Sequence, residues 1–180
     1  FMTKMMAQNL ELYQAGEGIT ASGVFYTAGS KYSIIANPFA SGWFSSTGSG
    51  ITMGLIVAIM LFSKRDDFKA IAKLAIPCGL FNINEPIIFG IPMVMNAMFA
   101  VPFFLAPVAC VCCGYLVQSL GLCPLFVIDV PWTTPVGLFG FLASSGNIMG
   151  AIWQVVIIVG VSTLIYTPFV IAANRQEAAA

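Results

Sequence analysis

The 180-residue sequence contains no histidine, so the side chain most often used as a general base at neutral pH, and the commonest metal ligand, is missing. A soluble hydrolase site or a zinc centre is hard to assemble from what remains, and neither a metal nor a cofactor is expected. Charge is nearly as scarce. Seven Lys and Arg balance seven Asp and Glu, 8% of the chain in all, and no basic stripe is left to track phosphates, so nucleic acid is not an expected partner. The five cysteines, Cys78, Cys110, Cys112, Cys113 and Cys123, lie in or beside apolar runs without metal-site spacing, and they read as small apolar side chains. The start at Phe1 carries no basic n-region or small-residue cleavage site, which predicts no signal peptide and suits a piece of a longer chain.

What the sequence has is hydrocarbon: 59% of its residues are hydrophobic, far above globular usage. Charge-free stretches run over 32–63, 86–128 and 130–174. A bilayer core of about 30 Å takes roughly 20 helical residues, so the first stretch holds one span and the others have length to spare. The first span is placed at 43–62, where Gly42, Ser45, Ser46, Gly48, Ser49, Gly50 and Gly54 either admit a neighbouring helix closely or form a loosely wound lead-in. Lys64, Arg65, Lys69 and Lys73, against Asp66 and Asp67, then make 63–73 a basic loop, cytoplasmic by the positive-inside rule. It lacks a glycine-rich phosphate cradle, so no nucleotide site is expected there. Arg175 assigns the same side to the end of a span at 148–172, which carries Trp153 and Tyr166 as an aromatic belt.

If Lys64 and Arg175 share a side, the chain between them crosses an even number of times, which leaves one further span, at 93–120, kinked by Pro102 and Pro107. The remaining pieces, 74–92 and 121–147, are apolar but broken by Pro, Gly, Asn and Thr. They are expected as re-entrant hairpins, which the bilayer tolerates only beside protein or a cavity. The expected fold is therefore an all-α membrane protein with about three transmembrane helices and two re-entrant hairpins, preceded by an extracytoplasmic lead-in over 1–42.

Glu85 is the one charge within 76–95. A carboxylate in the bilayer costs a few kcal/mol and usually faces a polar cavity. Pro86 suits the first position of a helix, so Glu85 is expected as its N-cap at a hairpin tip, with Asn84 before it. Together with the amides of Asn82 and Asn84, its carboxylate offers the mixture of donors and acceptors that hydroxyl-rich ligands need; pairing with a Lys or Arg in the missing part of a longer chain is the structural alternative. In the second piece, Asp129 leads into Val130-Pro131-Trp132-Thr133-Thr134-Pro135. Trp132 beside Thr133 is either a platform for a sugar ring or an interfacial anchor.

Phe81-Asn82-Ile83-Asn84-Glu85-Pro86, followed by Phe89-Gly90-Ile91-Pro92 and Asn96, resembles the IIC permease component of the bacterial phosphotransferase system. The branch is that of lactose, cellobiose and diacetylchitobiose, and Gly48-Ser49-Gly50 and 130–135 add to the likeness. The resemblance covers nearly the whole chain as the C-terminal, transport-domain half of such a protein. It implies a multi-pass protein of the bacterial plasma membrane that moves a disaccharide inward while a phosphorylated IIB partner phosphorylates it. It also implies a homodimer in the full-length protein and no phosphoryl-carrying residue in this chain, the phosphocysteine lying on IIB. In the family the glutamate corresponding to Glu85 bonds the sugar hydroxyl that receives the phosphate. Its partner histidine, in a Gly-Ile-His-Gly motif some eighty residues upstream, would fall at or before Phe1. Substrate-facing roles are thus expected for Glu85, Asn82, Asn84, Trp132 and Thr133. Two other classes remain open: a proton-coupled secondary transporter with Glu85 as carrier, and a structural subunit without a ligand site.

Overall fold

The computed structural model describes residues 1–20, 23–27, 29–91, 93 and 96–178, so Pro92, within both the motif and the expected hairpin 74–92, lies outside the described residues. The chain runs α1 (Met2–Gln14), β1 (Ile19–Thr20), β2 (Gly23–Val24), α2 (Asn37–Trp43), α3 (Met53–Phe62), α4 (Asp66–Leu80), α5 (Glu85–Gly90), α6 (Ala97–Ser119), α7 (Leu138–Ala143) and α8 (Ile148–Val155). A π-helical segment (Val156–Val161) joins α8 to α9 (Ser162–Ala178). The expectation of a wholly helical chain needs one small amendment: β1 and β2 pair antiparallel, Ile19 with Val24 and Thr20 with Gly23, inside what was expected as a lead-in.

Two helices among the described residues are long and apolar enough to cross a membrane, Ala97–Ser119 and Ile148–Arg175. At 1.5 Å per residue they reach about 35 and 42 Å, more than the hydrocarbon core requires. The third expected span, 43–62, is not one helix. α2 ends at Trp43, a turn-rich loop follows in which Thr47, Gly48, Gly50 and Ile51 all have positive φ, and α3 supplies only ten residues. Gly48 and Gly50 adopt that backbone without steric cost, which is what unwinds the stretch. Both readings of its small residues hold, at different positions: Gly48 and Gly50 unwind, whereas Gly42 and Gly54 pack. A Cβ on Gly54 would collide with Ser162 Oγ and lie 2.6 Å from the Ser162 carbonyl carbon, so α3 meets the start of α9 backbone to backbone. Gly54→Val is expected to destabilise the protein by about 1–3 kcal/mol through overpacking that no rotamer change relieves, read as a lowered thermal midpoint in detergent, with Gly54→Ala in between.

The expected loop 63–73 is likewise mostly helix. Only Ser63 to Arg65 connect α3 to α4; Asp66 and Asp67 occupy the first turn, where the helix dipole favours acids, and Phe68, Ala72, Ala75 and Gly79 form its buried face. The Arg65 guanidinium, also stacked 3.8 Å above the Phe68 ring, holds the Asp67 carboxyl below the usual carboxylate range. Asn174 accepts from Lys64 N (2.9 Å) and donates to the Phe62 carbonyl (2.9 Å), so the ends of α3 and α9 meet and the Lys64 cluster and Arg175 lie at one end of the molecule. Tyr166, expected in an aromatic belt, is instead fully buried.

Four helices stop in one way. After α1, α4, α6 and α7 the chain turns left-handed at Gly16, Asn82, Gly121 and Ser145. In each case paired bonds close the end, as in Asn82 N to Gly79 O and Ile83 N to Cys78 O, the pattern that satisfies the last helical carbonyls.

Buried apolar residues fall into two cores. One gathers Trp43 of α2, Cys110 of α6, Leu125 to Val127, Phe139 of α7, and Ile157 and Ile158. The other gathers α3, Phe68 and Ala72 of α4, Ile87 of α5, Phe99 and Ala106 of α6, and Tyr166 and Val170 of α9. The two long helices run through both, and between them one carries Pro107, which has no N–H to donate, and the other the π segment.

Candidate functional site

Three non-helical segments meet at the boundary of these cores: the glycine loop over 46–50, the α4–α5 turn over 81–84, and the turn over 131–134. Each is held by side chains from other elements. Asn82, 6% exposed, accepts from Thr47 N through Oδ1 at 2.7 Å and donates through Nδ2 to the carbonyl oxygens of Trp132 and Thr134, the latter at 3.1 Å. Asn84, 7% exposed, donates to Ser49 O at 2.7 Å and fills the space a Cβ on Gly48 would need. A carboxamide presents a donor and an acceptor a few ångströms apart, so one asparagine complements both an N–H and carbonyl groups.

The remaining supports come from the long C-terminal helix. Tyr166 Oη donates to Gly50 O at 2.7 Å. Gln154, fully buried, accepts from Gly137 N (2.9 Å) and Gly140 N (2.8 Å) and donates to Gly42 O (3.2 Å) and Ser46 Oγ (3.1 Å). It thereby ties α2 to the start of α7. A turn closed by Thr134 N to Pro131 O presents Trp132 and Thr133 outward, Trp132 65% exposed. The chain leading to it, through the N–H groups of Val127 and Ile128, donates to Ala143 O at the end of α7.

The five residues expected to face a ligand therefore separate. Glu85, Trp132 and Thr133 are exposed around this junction, whereas the carboxamides of Asn82 and Asn84 are directed at loop backbone. The helix boundary also shifts by one: Asn84 is the N-cap and Glu85 the first residue of α5, with Pro86 second. No side chain among the described residues hydrogen-bonds or ion-pairs with the Glu85 carboxylate. Sequence reasoning missed Gln154, Tyr166, Thr47 and Ser46 as parts of the site. The one signal available was a glutamine inside an apolar span, which asks for buried polar partners.

A cavity of about 830 Å³ lies elsewhere, between α1, α2 and α6, lined by Met2, Phe39, Phe44, Val111, Cys112 and Tyr115 among others. Its nearly unbroken hydrocarbon wall suits an apolar neighbour rather than a hydroxylated ligand.

A family model described as "Phosphotransferase system, EIIC" matches residues 1–107. The chain is 41% identical over 138 residues to the cellobiose-specific EIIC component of the PTS from Lactococcus lactis, covering 77% of this chain and 27% of that protein. It is 38% identical over 159 residues to the lichenan permease IIC component of Bacillus subtilis, covering 87% of this chain and 35% of that one. A crystal structure of the transporter ChbC, the IIC component from the N,N'-diacetylchitobiose-specific phosphotransferase system, superposes with a TM-score of 0.83 at 33% identity, over 99% of this chain and 38% of ChbC. The chain thus spans about a third of the length of the proteins it resembles.

Proposed function

The chain belongs to the EIIC family of the phosphotransferase system, and from that premise we propose that it forms the sugar-binding part of a multi-pass permease in the bacterial plasma membrane. The permease carries a β-linked disaccharide inward while a phosphorylated IIB partner phosphorylates it, and the full-length protein works as a homodimer. The observation that carries this reading is the Glu85 carboxylate, exposed at the start of α5 directly after a turn whose two asparagines are committed to loop backbone. A carboxylate so held keeps its position without using its own oxygens, which leaves them to accept bonds from sugar hydroxyls.

On this reading 74–92 and 121–147 are re-entrant hairpins whose tips meet near the middle of the membrane, and 63–73 faces the cytoplasm. Glu85 holds the hydroxyl that is to be phosphorylated, Trp132 and Thr133 line the other side of the ring, and Asn82 and Asn84 shape the site from behind. Phosphoryl transfer from IIB breaks a P–S bond and forms an O–P bond on that hydroxyl, whose proton passes to Glu85 or to water. The phosphate charge then disfavours return through an apolar path.

Uptake by membrane vesicles tests the reading. Accumulation of sugar phosphate is expected to stop when the phosphoryl donor is withheld and to persist in the presence of an uncoupler. Uptake that survives without the donor and collapses with the uncoupler would overturn it.

A further inference from the structure

The C-terminal helix holds the glycine loop over 46–50 at both ends. From its first part, Gln154 donates to Gly42 O at 3.2 Å and to Ser46 Oγ at 3.1 Å, just ahead of the loop and at its start. From its second part, Tyr166 donates to Gly50 O at 2.7 Å, where the loop ends. Between these two holds stands the π segment Val156–Val161. We propose that Gln154 and Tyr166 are positioning residues for the sugar site, and that the π segment is what puts them on one face of the helix. This rests on the function proposed above and says how that site is kept in shape.

The reason is one of phase. Gln154 and Tyr166 are twelve positions apart. A regular α-helix turns about 100° per residue, so side chains at that separation point about 120° away from each other. In a π turn the N–H bonds the fifth carbonyl back instead of the fourth, so the turn takes in one more residue. Twelve positions then turn like eleven, which leaves about 20° between the first and the last. Burial follows this corrected phase. Gln154, Ile158, Ser162 and Tyr166, at steps of four, are all fully buried, whereas steps of four on an uninterrupted helix drift by about 40° each. Gly160, inside the segment, is exposed, and a Cβ built on it would meet nothing within 4 Å. The irregularity therefore does not serve close packing at that residue.

What the two residues hold is the support of Glu85. Thr47 N–H and the Ser49 carbonyl, inside the loop, are the partners of Asn82 and Asn84, which fix the turn directly before Glu85. Gln154 also accepts from Gly137 N and Gly140 N, at the start of α7 and just beyond the turn that presents Trp132 and Thr133. One helix thus sets the loop from its ends, the asparagines set it from its middle, and both sides of the site depend on the same register. A supporting shell of this kind decides how precisely the groups that face a ligand are placed.

The test titrates the full-length permease in detergent with cellobiose, at a temperature well below the lowest thermal midpoint of the set. Tyr166→Phe and Gln154→Met keep the bulk of each side chain and remove its hold. Each is expected to weaken cellobiose by about ten-fold, the upper scale of one neutral hydrogen bond. Deletion of Gly160 is expected to close the π segment into regular α-helix with both holds still in phase, and so to fold and to bind cellobiose as the parent does. Lowered thermal midpoints with unchanged affinity in both Tyr166→Phe and Gln154→Met would reduce the two residues to a structural role and overturn the proposal. A Gly160 deletion that fails to fold, or that binds as weakly as Tyr166→Phe, would overturn the part assigned to the π segment. Glu85→Gln is the control for the underlying reading: if it binds cellobiose as the parent does, the function proposed above fails instead.

Discussion

Glu85→Gln in the full-length protein is expected to lower disaccharide affinity by one to two orders of magnitude while leaving the fold intact. The substitution keeps shape and one acceptor but removes the charge. A hydrogen bond from a hydroxyl to a carboxylate contributes about 1.5–3 kcal/mol against about 0.5–1.5 for its neutral counterpart. The retained acceptor therefore loses about 1–1.5 kcal/mol and the one replaced by an amide NH2 at least as much, which together correspond to roughly a ten- to hundred-fold change. The fold should not notice, because no bond or ion pair to the Glu85 carboxylate forms among the described residues and the side chain is exposed. A neutral residue is if anything more at ease in a membrane than an unpaired acid, so the thermal midpoint without sugar should stay level or rise. Glu85→Leu extends the series: binding should be lost and stability raised further. Equal affinity in parent, Glu85→Gln and Glu85→Leu would remove any substrate role from this carboxylate and leave a structural subunit as the better description.

How much of this was legible in the sequence depends on whether the signal is local. The apolar lengths of 97–119 and 148–175 are local, and both helices stand where hydropathy puts them. The turn between α4 and α5 is local as well, since Pro86 suits the first turn of the helix it sits in, although Glu85 before it is already helical rather than extended. The fate of 43–62 was half legible: its glycines announced either unwinding or close approach, and only the neighbours decide which applies where. Gly54 packs because Ser162, from a distant part of the chain, lies across from it, and Gly50 unwinds where Tyr166 donates to its carbonyl. The same nonlocality hid the role of the asparagines. Their composition suits a sugar, and nothing within the motif tells that Thr47 and Trp132 stand close enough to use them. A subtler local clue does exist. Asn stands just past an apolar helix at the position where a left-handed residue is needed to end it, and such a residue is more often an architectural one than a ligand.

That distinction makes Asn82 the second residue whose replacement should have a large effect, and one that separates positioning from binding. Its backbone has φ +64°, a conformation that asparagine tolerates better than alanine and glycine better than either. Its side chain meets Thr47 N–H, itself fully buried, and two carbonyl oxygens. Asn82→Ala removes both contributions and is expected to destabilise by about 3–5 kcal/mol, combining unsatisfied buried groups with left-handed strain. Asn82→Gly restores the backbone freedom but not the bonds, so it should recover roughly 1–2 kcal/mol of that loss. Asn82→Asp retains an acceptor for Thr47 but turns a carboxylate toward the carbonyl oxygens of Trp132 and Thr134, and it should be no better than alanine at neutral pH. Thermal unfolding in detergent reads the order, with glycine the mildest of the three. Cellobiose affinity should fall in parallel with stability across the set, because Asn82 acts by keeping the 46–50 loop, the Trp132 turn and Glu85 in register. If Asn82→Gly abolished binding while its thermal midpoint matched the parent, the carboxamide would instead be a direct sugar ligand, and the division of labour between the asparagines and Glu85 would have to be given up.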